Sequence, residues 1–281
     1  MITEQWLADT NEEFRRAGIE PAARPWRAIE KYGNETKLPV PFSSPEVNLI
    51  FSWFEKYLAP GSLKMRPLFT GVFFYDAAFW VFSIPLVYGR AAVEPLKLFA
   101  TMPFPILRDM ANDSVQLKSY IAHWSECFDF AYGLSKIPDN TGLDEFGRTL
   151  FRSGIAELEA AMAQMTQQKP NTKAMMSSRM TTEMFLKSLL AIKRGLPERE
   201  AREISHHLDM AIDGCIEATG SEDLAAIKPK LGIFPEIRGR YDGEEKPLSE
   251  IWEAYRLSQQ VASTVKRLIT GEDERPDFGM N

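Results

Sequence analysis

Along the second half of the chain, apolar residues recur every three or four positions. Leu150, Phe151, Ile155, Leu158, Met162 and Met165 form one series, and Phe185, Leu186, Leu189, Leu190 and Ile192 a second. Ala201, Ile204, Leu208, Ala211, Ile212 and Cys215 form a third, and Ile251, Tyr255, Ala262, Val265 and Ile269 a fourth. This spacing gathers apolar side chains into one stripe of an α-helix and predicts four amphipathic helices of about five turns each. Their connections are short except for Thr219 to Leu248. Gly195-Leu196-Pro197 stops one helix and starts the next. Ser249 is placed to cap the last helix, Lys266 and Arg267 fall in its final turn, and Gly271 follows. The polar stretch Gln167 to Thr172, with Pro170 inside it, reads as a joint. An up-and-down helical bundle is expected.

The first half is helical in pattern but irregular. Ser44 can cap a helix, Pro45 suits its first turn and Glu46 favours its dipole. Val47, Ile50, Phe51, Phe54 and Leu58 then follow the helical period, and Pro60-Gly61 ends the run. A second segment runs from about Ser114 to Tyr132. There is no clean alternation and no Asn-Gly hairpin signal, so strands are not expected. The fold class expected for the whole chain is all-α. The expected divisions are an aromatic-rich helical region over 1–140, a bundle over 145–270 and a frayed tail over 271–281.

Composition sharpens this picture. Residues 1–132 hold 24 of the 32 aromatic residues, and residues 1–105 hold 11 of the 18 prolines, so the two halves differ in kind. A hydrophobic fraction of 44% in 281 residues excludes a disordered chain and a small stapled scaffold. The net charge of −6 argues against a protein that coats nucleic acid over its whole surface, although a local basic cleft is compatible with it. Two cysteines make no disulfide framework, and no Cys/His zinc spacing occurs. Met1 to Asp9 lack the basic and apolar parts of a secretion signal, so a cytoplasmic location is expected. Gly71 to Gly89 is apolar enough to raise a membrane-associated reading. Asp76 and Pro85 lie inside it, and the flanks Lys64, Arg66 and Arg90 set no orientation, so a buried helix or helix pair is expected instead.

Glycine-rich phosphate loops, HExxH and GxSxG are absent, and no cofactor is expected. His123 and Cys127 lie four apart and could share a metal. Without further ligands they read as core residues beside Trp124 and Phe128, so no metal is expected. On a continuous helix from Pro197 to Cys215, Arg199, Arg202 and His206 fall within about 60° of one another, away from the apolar stripe. His207 lies about 100° from His206, towards the apolar flank. An arginine fork that holds phosphate and an imidazole that moves a proton are the parts a ribonuclease needs. A solvated helix face with ordinary charge pairs is the other reading of the same residues.

Several words in this region resemble the HEPN domain, a nucleotide-binding helical module. Ser178 to Leu190 resembles the family's first conserved helix, with Glu183, Leu186, Lys187 and Leu190 in place. His206-His207-Leu208 resembles its His-Asp-Leu word, with His207 where aspartate is usual. Arg240-Tyr241 resembles the Arg-Tyr pair before its last helix. The resemblance covers about 170–270. It implies a bundle that pairs as a homodimer, RNA or nucleotide as ligand, and a stress or defence setting. It also implies metal-independent RNA cleavage through an arginine, four to six intervening residues and a histidine. Arg199 or Arg202 with His206 meets that count, and His207, Lys187, Arg240 and Tyr241 would bind substrate. Glu200 and Glu203 stand where a polar residue usually follows the arginine. That departure favours the alternative, a non-catalytic dimerisation or protein-interaction module. Charge supports RNA only mildly: residues 171–281 carry 16 basic against 19 acidic residues.

Overall fold

Helix dominates the computed structural model. It describes residues 2–37, 41, 44–58, 67–86, 93–134, 137, 145–204, 206–237 and 245–276. The chain divides into two units at Arg66/Pro67. The expected boundary near 140–145 falls instead inside the second unit, where the helices on either side of it share one core.

The first unit holds α1 (Glu4–Arg16), α2 (Arg24–Thr36) and α3 (Pro45–Glu55). Ser44 caps α3 as expected, its hydroxyl accepting from the Val47 N–H at 3.3 Å. Leu7, Phe14, Ala28, Ile50, Trp53 and Phe54 form a small core.

The second unit begins with a β-hairpin, which corrects the expectation of no strands and the helical reading of Gly71 to Gly89 as far as Ile84; residues 87–89 lie outside the described residues. Strand β1 (Phe69–Tyr75) pairs antiparallel with β2 (Ala78–Ile84), from Phe69 opposite Ile84 to Tyr75 opposite Ala78. Asp76 and Ala77 make a two-residue turn with φ of 50° and 55°. Positive φ at both positions is the turn that matches strand twist, and aromatic and β-branched residues suit the pleated surface. Asp-Ala is an uncommon pair for that turn, so the usual signal is absent. The hairpin packs on the core through Phe69, Val72, Phe73, Phe82 and Ile84. Among the described residues, no helix is long and apolar enough to cross a membrane.

There follow α4 (Phe104–Asn112), α5 (Ser114–Leu134), α6 (Glu145–Met165) and α7 (Lys173–Arg194). Then come α8 (Glu198–Ile204), α9 (Leu208–Thr219), α10 (Glu222–Ile227) and α11 (Leu248–Thr270). Helices α6 and α7 form an α-hairpin around the expected joint, and α7 also packs on α9 and α11. Fourteen of the 22 residues of α7 are buried, so this helix runs through the interior. Gly195 stops α7 with its N–H on the Ala191 carbonyl at 3.0 Å. Helix α11 starts two residues earlier than expected: Pro247 precedes Leu248, and Ser249 lies inside the first turn and does not cap it.

His123 and Cys127 are both buried in the aromatic core. The His123 Nε2–H donates to the Val72 carbonyl at 3.0 Å, and the ring packs edge-on to Phe82, Trp252 and Tyr255. These contacts favour the core reading of the pair.

The expected fraying does not hold for residues 271–276. Lys266 is wholly buried and its Nζ meets Asp129 Oδ1 at 2.5 Å. It also donates to the Glu272 carbonyl at 3.2 Å, while the Glu274 N–H donates to Asp129 at 2.6 Å. Arg275 reaches Glu126 at 3.3 Å. A buried carboxylate needs several donors to offset its lost hydration, and the tail backbone supplies one. Lys266 reaches Asp129 past Gly133, where a Cβ would lie 2.2 Å from the lysine Cδ.

Candidate functional site

Three charged residues step by four along α7: Arg179, Glu183 and Lys187. On a mostly buried helix that stripe points inward from the surface. Glu183 is 2% exposed. Lys187 is buried one turn further in and donates to Glu183 Oε1 at 2.8 Å. Its expected role in substrate binding is therefore corrected, because its ammonium is committed inside the protein.

Glu183 reaches a corner of the chain. The Nδ1–H of His206 donates to the Glu183 carboxylate, at 2.9 Å to Oε2 and 3.2 Å to Oε1. The His206 ring is half exposed, and its Nδ1 is occupied, so Nε2 is the nitrogen left for chemistry. Arg179 Nη2 donates to the His206 carbonyl at 2.6 Å. Burial pulls the Arg179 guanidinium below its ordinary pKa, while Glu183, Glu236 and Asp209 push it back up. The guanidinium remains a cation.

This corner breaks the helix expected over Pro197 to Cys215. Helix α8 ends at Ile204 and α9 begins at Leu208, with His207 between them in an extended conformation. In a continuous helix the His206 carbonyl would accept from the Met210 N–H, and here Arg179 takes it. The His207 N–H closes a tight turn on the Ile204 carbonyl at 3.1 Å. Helix α9 then restarts with Leu208, Ala211, Ile212 and Cys215 buried.

The break separates the residues that helical phase had placed together. Arg199 is 90% exposed and pairs with Glu203 at 3.4 Å. Arg202 pairs with Glu198. Neither lines the cleft that holds the histidines. That cleft, about 810 Å³ in volume, is lined by Arg179, His206, His207, Asp209, Lys228 and Glu236, with Leu231, Phe234 and Ile237 supplying apolar wall. Its volume suits a nucleotide-sized ligand. Lys228 is held by Asp213 at 2.6 and 2.8 Å. Arg240 and Tyr241 lie outside the described residues.

Sequence reasoning thus found His206 and His207 and missed Arg179 as their neighbour. The available signal was the spacing of four among Arg179, Glu183 and Lys187. Charges repeated on a helix otherwise rich in Leu, Met, Ser and Thr mark a polar seam through a core. Among the described residues, no three His, Cys, Asp or Glu side chains cluster as a metal site. Compared with protein-family models, curated proteins and solved structures, the chain matches none.

Proposed function

We propose that this chain is a HEPN-like protein whose cleft at the α8–α9 corner binds RNA or a nucleotide, with His206 as the proton-transfer group. The observation that carries the reading is the buried Glu183 carboxylate on His206 Nδ1, with Arg179 bound to the same residue's backbone. A carboxylate at Nδ1 fixes the tautomer and leaves the Nε2 lone pair to act as base, and a guanidinium beside it can hold a phosphate. The phosphate clamp is therefore Arg179, in place of Arg199 or Arg202, and His207 binds substrate. In RNA cleavage, His206 Nε2 takes the proton of a ribose 2′-OH. The 2′ oxygen attacks phosphorus, the bond to the 5′ oxygen breaks, and the imidazolium returns the proton to that oxygen. The products are a 2′,3′-cyclic phosphate and a 5′-hydroxyl.

The test is purified protein on a mixed RNA substrate with chelator present. Replacing His206 by Ala should slow cleavage by about 10²–10⁴, the range for a positioned acid–base group. Arg179→Ala should be similarly damaging, and Arg199→Ala and Arg202→Ala should act like wild type. Cleavage indifferent to His206→Ala would refute the assignment. The carboxylates that already occupy Arg199 and Arg202 favour the second reading, a non-catalytic binding or dimerisation module. Nucleotide binding without cleavage by any form would select it.

A further inference from the structure

Among the described residues, four carboxylates and three cations stand in or directly behind the cleft. Glu183, Asp209, Asp213 and Glu236 face Arg179, Lys187 and Lys228, which leaves a formal charge of −1 when both histidines are neutral. The cations are not equivalent. Lys187 is buried against Glu183, and Lys228 is held by Asp213. Arg179 spends Nη2 on the His206 carbonyl, and its Nη1 has no hydrogen-bond partner among the described residues. Its Nε is buried without a partner as well, so the Arg179 guanidinium is the principal unspent anion-binding group among the described residues.

Asp209 sits in the first turn of α9, and Glu236 follows the 3-10 turn Lys228–Ile233 on another side of the cleft. Both side chains belong to exposed residues, and neither forms an ion pair with a described residue. Both act electrostatically on Arg179. A cleft built to grip a triphosphate would place cations at such positions.

We propose that Asp209 and Glu236 are specificity-determining residues that restrict the cleft to ligands carrying one negative charge, so that an internal phosphodiester is admitted and nucleoside polyphosphates are rejected. This rests on the reading of the cleft as a nucleotide site. The single charge of a diester is met by Arg179. Each further charge on a di- or triphosphate meets a carboxylate that no cation among the described residues pairs with. At a protein surface one such repulsion over a few ångströms changes affinity on the order of tenfold. The same carboxylates can accept hydrogen bonds from ribose hydroxyls or base amino groups, so a nucleotide chain loses less by their presence than a polyphosphate does.

Equilibrium binding to the full chain tests this with two probes: a 2′-fluoro dinucleoside monophosphate, which cannot be cleaved through its ribose, and ATP without magnesium. Wild type should bind the diester at least about tenfold tighter than ATP. In the Asp209→Asn/Glu236→Gln double variant, ATP affinity should rise about tenfold or more and diester affinity move by less than about threefold. Both positions are exposed, so circular dichroism should show the fold unchanged. ATP bound as well as the diester by wild type would overturn the proposal. If Arg179→Ala abolishes diester binding while the double variant keeps the wild-type ranking, the cleft reading stands and the charge filter falls. If neither probe binds, or Arg179→Ala binds the diester as wild type does, the cleft reading itself fails and the filter falls with it.

Discussion

Acid should destabilise the second unit through His123, and the amount follows from its surroundings. Burial among Phe82, Trp252 and Tyr255 holds this imidazole down at about 3, with Arg256 adding to the depression and the Val72 carbonyl opposing it. In the unfolded chain the same group titrates near its ordinary value of about 6.5. A depressed histidine contributes nothing to pH dependence above that value, because both states are neutral. As pH falls below about 6.5 the unfolded chain gains a proton that the folded chain refuses until about 3, so stability is lost across that window. Between pH 7 and pH 5 the loss from this one group is about 2 kcal/mol. His123→Gln keeps an N–H for Val72 and removes the titration. Urea unfolding followed by near-ultraviolet circular dichroism at pH 7, 6 and 5 compares the two proteins, and all other groups cancel in the difference. Wild type should lose about 2 kcal/mol more than His123→Gln over this range. Parallel pH dependence in the two proteins would show that His123 is protonated in the fold, and the argument from burial would be wrong.

Other outcomes follow from particular contacts. Gly133→Ala places a methyl on the path of Lys266 and should cost about 3–5 kcal/mol by parting it from Asp129, as read by a lowered urea midpoint. Glu183→Gln keeps the shape of the His206 contact and removes its charge, so the Nδ1–H proton resonance of His206 should move upfield in NMR spectra and any cleavage rate should fall. Part of the HEPN-like proposal is a two-fold dimer, so light scattering at tens of micromolar should give twice the chain mass of 31.9 kDa.

The helical half of the fold was legible because burial there follows a single period. Gly195, Ser44 and the joint at Gln167 to Thr172 stand where local chemistry places them. The hairpin was not legible, since its turn is Asp76-Ala77 and its strands are apolar on both faces, so neither turn residue nor alternation signals it. The break at His206 was hidden for a different reason. Ala201, Ile204 and Leu208 keep helical phase across it, while the His207 N–H turns back on the Ile204 carbonyl and Arg179, 27 positions away in sequence, takes the His206 carbonyl. A long-range contact of that kind leaves no periodic trace. The tail was misjudged similarly, because its anchor Asp129 lies 145 positions from Glu274.

Helix α7 ties the site to the core in a way that stability alone does not explain. Glu183 and Lys187 are buried as an ion pair between α7 and its neighbours, where a pair of apolar residues of the same volume would stabilise the bundle as well or better. The pair does place a carboxylate at the foot of His206 and neutralises it from behind, so that proton gain at His206 adds a net positive charge to the cleft. Replacing both by Leu and Met should therefore keep or raise the unfolding midpoint while removing His206-dependent chemistry. Loss of both together would mark the pair as structural. A midpoint preserved with the chemistry gone would identify Glu183 as the residue through which the interior of α7 controls the histidine at its surface.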